Sequence, residues 1–279
     1  MYRGRLGIDR VADIVHGSTV ATNAILERKG ARTALITTAG FRDVLEIGRQ
    51  NRPILYSIEP MRLEPLVASD DRYEAIERVN YQGSVIKTLD EEHLCTVIAD
   101  LKTSGVESCA VCLLFSFLNP THEHRIRDLL SEAGFNYVSL SSEIHPEFRE
   151  YERTSTVCLN AYVEPIMSAY LQKLAAGAPG PLWIIQSNGG LLRADEAARE
   201  PVRTVLSGPA GGVIGALETA RKLGLDKIVT FDMGGTSTDV ALCPGRPLLT
   251  NQGVLGGFPI SISMIDIHTV GAGGGSLAY

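Results

Sequence analysis

A chain of 279 residues with 44% apolar and 21% charged residues has room for about two domains and the composition of an ordinary globular protein. The formal net charge of -6, with no run of Lys and Arg, argues against nucleic acid as the partner, because neutralising phosphates takes clustered cations. No stretch approaches the roughly 20 apolar residues that cross a bilayer, and Met1–Arg10 holds no apolar core of a signal peptide, so a cytoplasmic protein off the membrane is expected.

Strands and helices alternate along the chain, which predicts an α/β architecture. Residues 11–15 read as a short strand that runs into His16-Gly17-Ser18-Thr19. Residues 20–29 read as a helix with Gly30 as its stop, and 33–37 as a buried strand. Residues 42–77, rich in Arg and Pro, read as irregular, with a polar loop at 46–53. Thr88-Leu89-Asp90-Glu91 fits a capping box. The helix it opens carries Leu94, Val97, Ile98 and Leu101 on one face and stops at Gly105. A strand over 110–115 follows. Asn119-Pro120 then starts a helix with Ile126, Leu129, Leu130 and Ala133 inward and Gly134 as its stop, before a strand over 137–140. This succession implies a parallel sheet. Residues 147–174 read as a long helix interrupted near Pro165, and 182–186 as a strand ending in Ser187-Asn188-Gly189-Gly190. Residues 205–212 lead into a helix that reaches Leu223, and strands over 227–231 and 240–243 flank a Gly-rich turn.

The cysteines are Cys95, Cys109, Cys112, Cys158 and Cys243, an odd and scattered set that fits a reducing compartment better than a disulfide framework. Cys109 and Cys112 have CxxC spacing but sit in an apolar strand. Residues three apart on a strand point to opposite faces, so the two read as small core side chains.

The strongest chemical signal is Phe231-Asp232-Met233-Gly234-Gly235-Thr236-Ser237-Thr238-Asp239-Val240. Glycines let backbone N–H groups approach a phosphate with no Cβ in the way, and the hydroxyls add donors. A carboxylate beside such a turn repels phosphate unless Mg²⁺ or water lies between, so Asp232 and Asp239 make sense together with a metal. The alternative is a plain Gly-rich hairpin with solvated carboxylates. No GK[ST] follows, so this is not a P-loop. The second signal is Ser207-Gly208-Pro209-Ala210-Gly211-Gly212-Val213-Ile214-Gly215. Each glycine inside a helix costs about 0.8–1.0 kcal/mol, and close approach of either a helix or a ligand would compensate.

Weaker candidates keep two readings each. His16 precedes a helix whose N-terminus either faces an anion through Ser18 and Thr19 or is simply capped. Arg49, Gln50, Asn51 and Arg52 either bind substrate or phosphate or form a solvated loop. Glu150, Glu152 and Arg153 open a helix, where acidic residues are favoured anyway. Asp266 and His268 alternate on one strand face and either serve a metal or acid–base chemistry or are structural. His122, His124 and His145 read as surface residues near helix starts.

A glycine-rich helix directly before a phosphate hairpin resembles the actin, Hsp70 and sugar-kinase ATPase fold, built of ribonuclease H-like units. The resemblance sharpens with 16–27 (HGSTVATNAILE), 38–53 (TAGFRDVLEIGRQNRP), 149–155 (REYERTS), 186–190 (QSNGG), the hairpin, and 266–276 (DIHTVGAGGGS). Together these look like the hydantoinase A/5-oxoprolinase family. Membership implies Mg²⁺-dependent use of ATP to phosphorylate a carbonyl oxygen. A hydantoin or 5-oxoproline-type ring is then opened by water, or, in acetone and acetophenone carboxylases, the activated species is carboxylated. The resemblance divides the chain into an N-terminal domain over 1–155 and a nucleotide-binding domain over 156–279. It implies Asp232, Asp239 and Asp266 as metal ligands, and Asp232, Asp239 and His268 as catalytic. Gly234, Gly235, Thr236, Ser237 and Thr238, with Ser207 and Gly208, would hold the nucleotide. It also implies a small cyclic amide or ketone as substrate and a hydantoinase B-type partner subunit. Family members begin with a first hairpin of the form DxGGTFTD, which does not precede His16, and continue past the equivalent of Tyr279. A fold incomplete at both ends is therefore expected, with a catalytically inactive nucleotide-binding fragment as a further alternative.

Overall fold

A computed structural model describes residues 13–51, 56, 63–235 and 237–276. The chain forms two compact units: residues 23–166 with 252–262, and residues 1–22, 167–251 and 263–279. The boundary expected at residue 155 lies inside the helix Glu150–Gly177, which contributes residues to both units.

In the unit of residues 23–166, the apolar runs become a four-stranded parallel sheet in the order Arg72–Ala75, Thr33–Thr38, Ser108–Cys112, Val138–Leu140. Every residue of the two central strands is buried, as strands covered on both faces require. The helices Glu91–Ser104 and Thr121–Glu132 supply Leu94, Val97, Ile98, Leu101, Ile126 and Leu130 to one core with Ile36 and Val111. Each such side chain contributes about 1.5–3 kcal/mol relative to exposure.

Several local expectations are corrected. The first of these helices is capped by Asp90, whose carboxylate accepts from the His93 N–H at 3.0 Å, and not by Thr88. Gly105 ends it in the left-handed region at φ 79°, as expected. The segment read as irregular contains the edge strand Arg72–Ala75. Its polar start hid it: Arg72 is buried because its guanidinium donates to the Val67 carbonyl and pairs with Glu46. The first helix, Val20–Leu26, ends before Gly30. Gly30 is needed for another reason, since a Cβ there would lie 2.0 Å from the Tyr162 ring. The strand expected over 110–115 ends at Cys112, and Phe115 is left-handed at φ 56°. The 28-residue helix Glu150–Gly177 runs through Pro165 without interruption. A proline inside a helix costs about 3 kcal/mol, and burial of Leu159, Val163, Met167 and Leu171 around it offsets that loss.

The second unit holds two three-stranded sheets. In one, Ile14–His16 pairs parallel with Leu182–Ile185, which pairs antiparallel with Leu191–Arg193. In the other, Lys227–Met233, Thr238–Pro244 and Ile267–Val270 are antiparallel in that order. The helix Ser207–Lys222 packs Ala210, Val213 and Leu217 against Ala241, Cys243 and Ile265. The architecture is thus mixed α/β with a parallel sheet. No helix among the described residues is long and apolar enough to cross a membrane.

Candidate functional site

The hairpin strands pair in perfect register, and this puts Asp232 directly opposite Asp239. The third strand places Thr269 opposite Asp239 and Ile267 opposite Ala241. Side chains alternate along a strand, so Asp232, Asp239 and Thr269 form one row on the face that packs its Ala241 and Ile267 toward the helix Ser207–Lys222. Thr269 Oγ1 donates to Asp239 Oδ1 at 2.6 Å. Two carboxylates facing each other across a ladder repel by a few tenths of a kcal/mol up to about 1 kcal/mol, and a cation between them removes that cost.

The turn between the strands is held from both sides. The Gly234 N–H donates to the Ser237 carbonyl at 2.9 Å. The N–H groups of Gly274 and Gly275 donate to the carbonyls of Gly234 and Gly235 at 2.9 and 2.8 Å. Thr238 Oγ1 donates to the Ala272 carbonyl at 2.6 Å. A Cβ on Gly275 would lie 2.9 Å from the Gly235 oxygen, so only glycine fits there. The Gly-rich segment 271–276 is therefore a second loop locked against the hairpin turn. Local sequence carried no sign of this pairing, because it joins backbones some 40 positions apart. Thr236 lies outside the described residues.

Beside this double loop lies a cleft of about 350 Å³. Pro209, Gly212 and Ala216 of the helix form one wall, the strand over Ile228–Asp232 forms the other, and Asp239 joins Asp232 in the lining. The glycine stripe divides accordingly. A Cβ on Gly211 would press to 3.0 Å on Ile185, which is tight packing. A Cβ on Gly212 or Gly215 would meet no described atom within 4 Å, so packing does not explain these two. Gly212 faces the cleft.

The other expected residues fall elsewhere. Ser207 is fully buried, and its hydroxyl accepts from the Ser18 N–H at 3.1 Å and donates to the Ser18 carbonyl at 3.0 Å. It clamps two backbone segments together, while Gly208 beside it stays exposed. Ser18 Oγ accepts from the Val20 N–H at 3.2 Å, which favours the capping reading of that helix start, and His16 Nε2 bonds Tyr170 Oη at 2.7 Å. Asp266 lies ahead of the strand Ile267–Val270, three residues from the row that holds Asp239. His268 pairs with Val240, so it sits on the opposite face, among the exposed Val229, Phe231 and Leu242. Among the described residues no group of three or more His, Cys, Asp or Glu could hold a metal. The carboxylates that share one face here are the pair Asp232 and Asp239. This fits Mg²⁺, which takes one or two carboxylates and completes its shell with phosphate oxygens and water.

In the unit of residues 23–166, Arg49 is committed to Glu152 through a two-pronged ion pair. Arg52 lies outside the described residues. Arg153 is buried and donates to the Leu113 and Glu147 carbonyls. His122 and His145, expected at the surface, are buried, and His122 Nδ1 pairs with the buried Glu77 at 2.8 Å. Cys109 packs in the core, and burial pushes its thiol up to about 12. Cys112 instead accepts from Thr154 Oγ1 at 3.2 Å, so the CxxC pair does not converge.

Residues 3–134 match the family model for the hydantoinase/oxoprolinase N-terminal region, and residues 153–279 match the hydantoinase/oxoprolinase model. The chain is 36% identical to 5-oxoprolinase of Saccharomyces cerevisiae over 98% of its own length and 23% of that protein. It is 35% identical to the acetophenone carboxylase gamma subunit of Aromatoleum aromaticum over 97% of its length and 40% of that subunit. The solved structure of the ATP-dependent caprolactamase from Pseudomonas jessenii superposes with a TM-score of 0.88 at 32% identity, over 99% of this chain and 42% of that one. The fold is therefore the hydantoinase-like ATPase fold. The chain spans less than half the length of each of these relatives.

Proposed function

The chain belongs to the hydantoinase/oxoprolinase family of ATP-dependent cyclic-amide hydrolases and carboxylases, and on that premise we propose that it binds Mg²⁺-ATP at the hairpin and serves the ATP-dependent opening of a small cyclic amide. The observation that carries this reading is the register: two opposed carboxylates on one face, next to a Gly-Gly turn that a second Gly-rich loop holds rigid. Asp232 and Asp239 hold the cation. The Gly234 N–H closes the turn, so a phosphate would be left the donors of Gly235 and Ser237, with Thr236 a candidate by sequence alone. Mg²⁺, when bound, neutralises phosphate charge as it develops in phosphoryl transfer. The hydrogen bonds from Gly274 and Gly275 restrain the turn, so less reorganisation would be needed during transfer. The cleft beside it, with Gly212 in one wall, gives the remainder of the nucleotide or the substrate room to approach the carboxylates. The amide carbonyl oxygen would take the γ-phosphoryl group as ADP leaves, and water would then add to the activated ring carbon, with the C–N bond breaking and phosphate departing. A hydantoinase B-type subunit would complete the assembly.

The identity with a carboxylase subunit supports a second reading, in which the activated carbonyl belongs to a ketone. One assay separates the two. Phosphate release from Mg²⁺-ATP is measured with 5-oxoproline, hydantoin or caprolactam, and with acetone or acetophenone plus bicarbonate. Stimulation by a cyclic amide is the expected result. Stimulation by ketone and bicarbonate alone would replace the amide reading with the second, and an absence of nucleotide binding would remove both.

A further inference from the structure

We propose that Thr269 is a positioning residue for the cation site: its hydroxyl fixes the Asp239 carboxylate so that Asp232 and Asp239 present themselves to one divalent ion. The inference rests on the Mg²⁺-ATP reading above and assigns a role to a residue outside the hairpin. Thr269 belongs to the segment 266–276, whose acid–base candidate by sequence was His268. The strand register turns His268 away and brings its neighbour into the row instead.

Ile267, two residues before Thr269, packs against the helix core, so Thr269 must share that face. It stands opposite Asp239, which stands opposite Asp232, and the three form a line across three strands. The bond from Thr269 Oγ1 occupies Asp239 Oδ1 at 2.6 Å, a short, charge-assisted contact. With one oxygen held, rotation of the carboxylate about its χ2 axis is restricted and the other oxygen keeps a fixed direction. An unrestrained Asp239 facing Asp232 would instead rotate away from the like charge. A β-branched side chain in a strand is stiff at χ1, so Thr269 is itself pre-set. Both residues are exposed or partly so. The bond therefore satisfies no deeply buried donor, and the fold does not require it. Among the described residues, Thr238 at this end of the hairpin spends its hydroxyl on the Ala272 carbonyl and cannot substitute.

The test uses Mn²⁺ as a spectroscopic stand-in for Mg²⁺, with free Mn²⁺ counted by electron paramagnetic resonance in the presence of a non-hydrolysable ATP analogue. This reads cation binding with no turnover. Thr269→Val keeps the shape and removes the hydroxyl; Thr269→Ser keeps the hydroxyl. The Val variant should bind Mn²⁺ about 5–10-fold more weakly, the size expected for the loss of one ordinary hydrogen bond. The Ser variant should stay within about twofold of the parent, with all melting temperatures alike. Equal binding by the Val variant and the parent overturns the proposal while leaving the nucleotide reading intact, as does equal weakening by Val and Ser. A parent chain that binds no Mn²⁺ with the analogue overturns the nucleotide reading itself, and this proposal with it.

Discussion

At the scale of single residues, charge and hydroxyl groups are decided by what stands opposite them. Arg49 is the clearest case. In the sequence it belongs to a polar loop that could equally bind an anion or face solvent. In the fold it is taken by Glu152, three positions into the long helix. Burial alone would push the Glu152 carboxyl up, but its net direction is down, because the Arg49 guanidinium donates to it and its charge favours the ionised form. The sign follows. A carboxylate whose folded pKa lies below its unfolded value of about 4.3 adds stability at neutral pH. That stability is lost as pH falls through the folded value. Glu152→Gln should therefore cost less than about 1 kcal/mol at pH 7, given that Arg49 is half exposed. The gap between variant and parent should close below about pH 4, as read from urea midpoints across a pH series. A constant gap at all pH values would show that packing, and not the ion pair, carries the effect. The same rule governs the site. Asp232 and Asp239 are legible as a pair from the hairpin sequence, while Thr269 is not, because only the register of a third strand brings it to Asp239.

At the scale of elements, periodicity and glycine tell different stories. The helices Glu91–Ser104 and Thr121–Glu132 were legible from the 3.6-residue spacing of their apolar residues, and their buried apolar residues are among those the spacing names, while the buried His122 and Glu123 are not. The strand Arg72–Ala75 was not legible, since Arg72 and Glu74 break the apolar alternation and find partners only in the folded chain. The short strand Leu191–Arg193 was hidden for a related reason: its three residues are too few for a pattern. Pro165 pointed to a break that burial on both sides of it overrides. Glycine is the least legible, because its purpose is whatever occupies the space it leaves. Gly30 makes room for Tyr162, Gly275 for the Gly235 carbonyl, and Gly212 for the cleft. Gly212→Ala should consequently raise stability by about 0.8–1.0 kcal/mol through helix propensity alone, seen as a higher melting temperature. It should also weaken nucleotide or substrate binding measured on the same preparation. A lower melting temperature would mean that the space is needed for packing after all.

At the scale of the whole molecule, the chain builds a parallel α/β unit and a second unit that carries the hairpin, the glycine-rich helix and the cleft. The alternation of strands and helices made the α/β class legible, and motif content made the family legible. The division into units was harder to read, because the second unit gathers residues 1–22, 167–251 and 263–279 from distant parts of the sequence. On the proposed reading, two opposed carboxylates on this second unit hold a divalent cation that in turn holds ATP. The most direct measurement is titration calorimetry of the full chain with ATP, in Mg²⁺ and in EDTA, for the parent and for the double variant Asp232→Asn, Asp239→Asn. The expected result is binding that depends on Mg²⁺ and falls at least about tenfold in the variant, the loss of about 1.4 kcal/mol or more, with the metal-free melting temperature no lower than the parent's, because Asp232 is exposed, Asp239 is partly exposed and the variant removes their mutual repulsion. Equal binding in EDTA, or undiminished binding by the double variant, would contradict it.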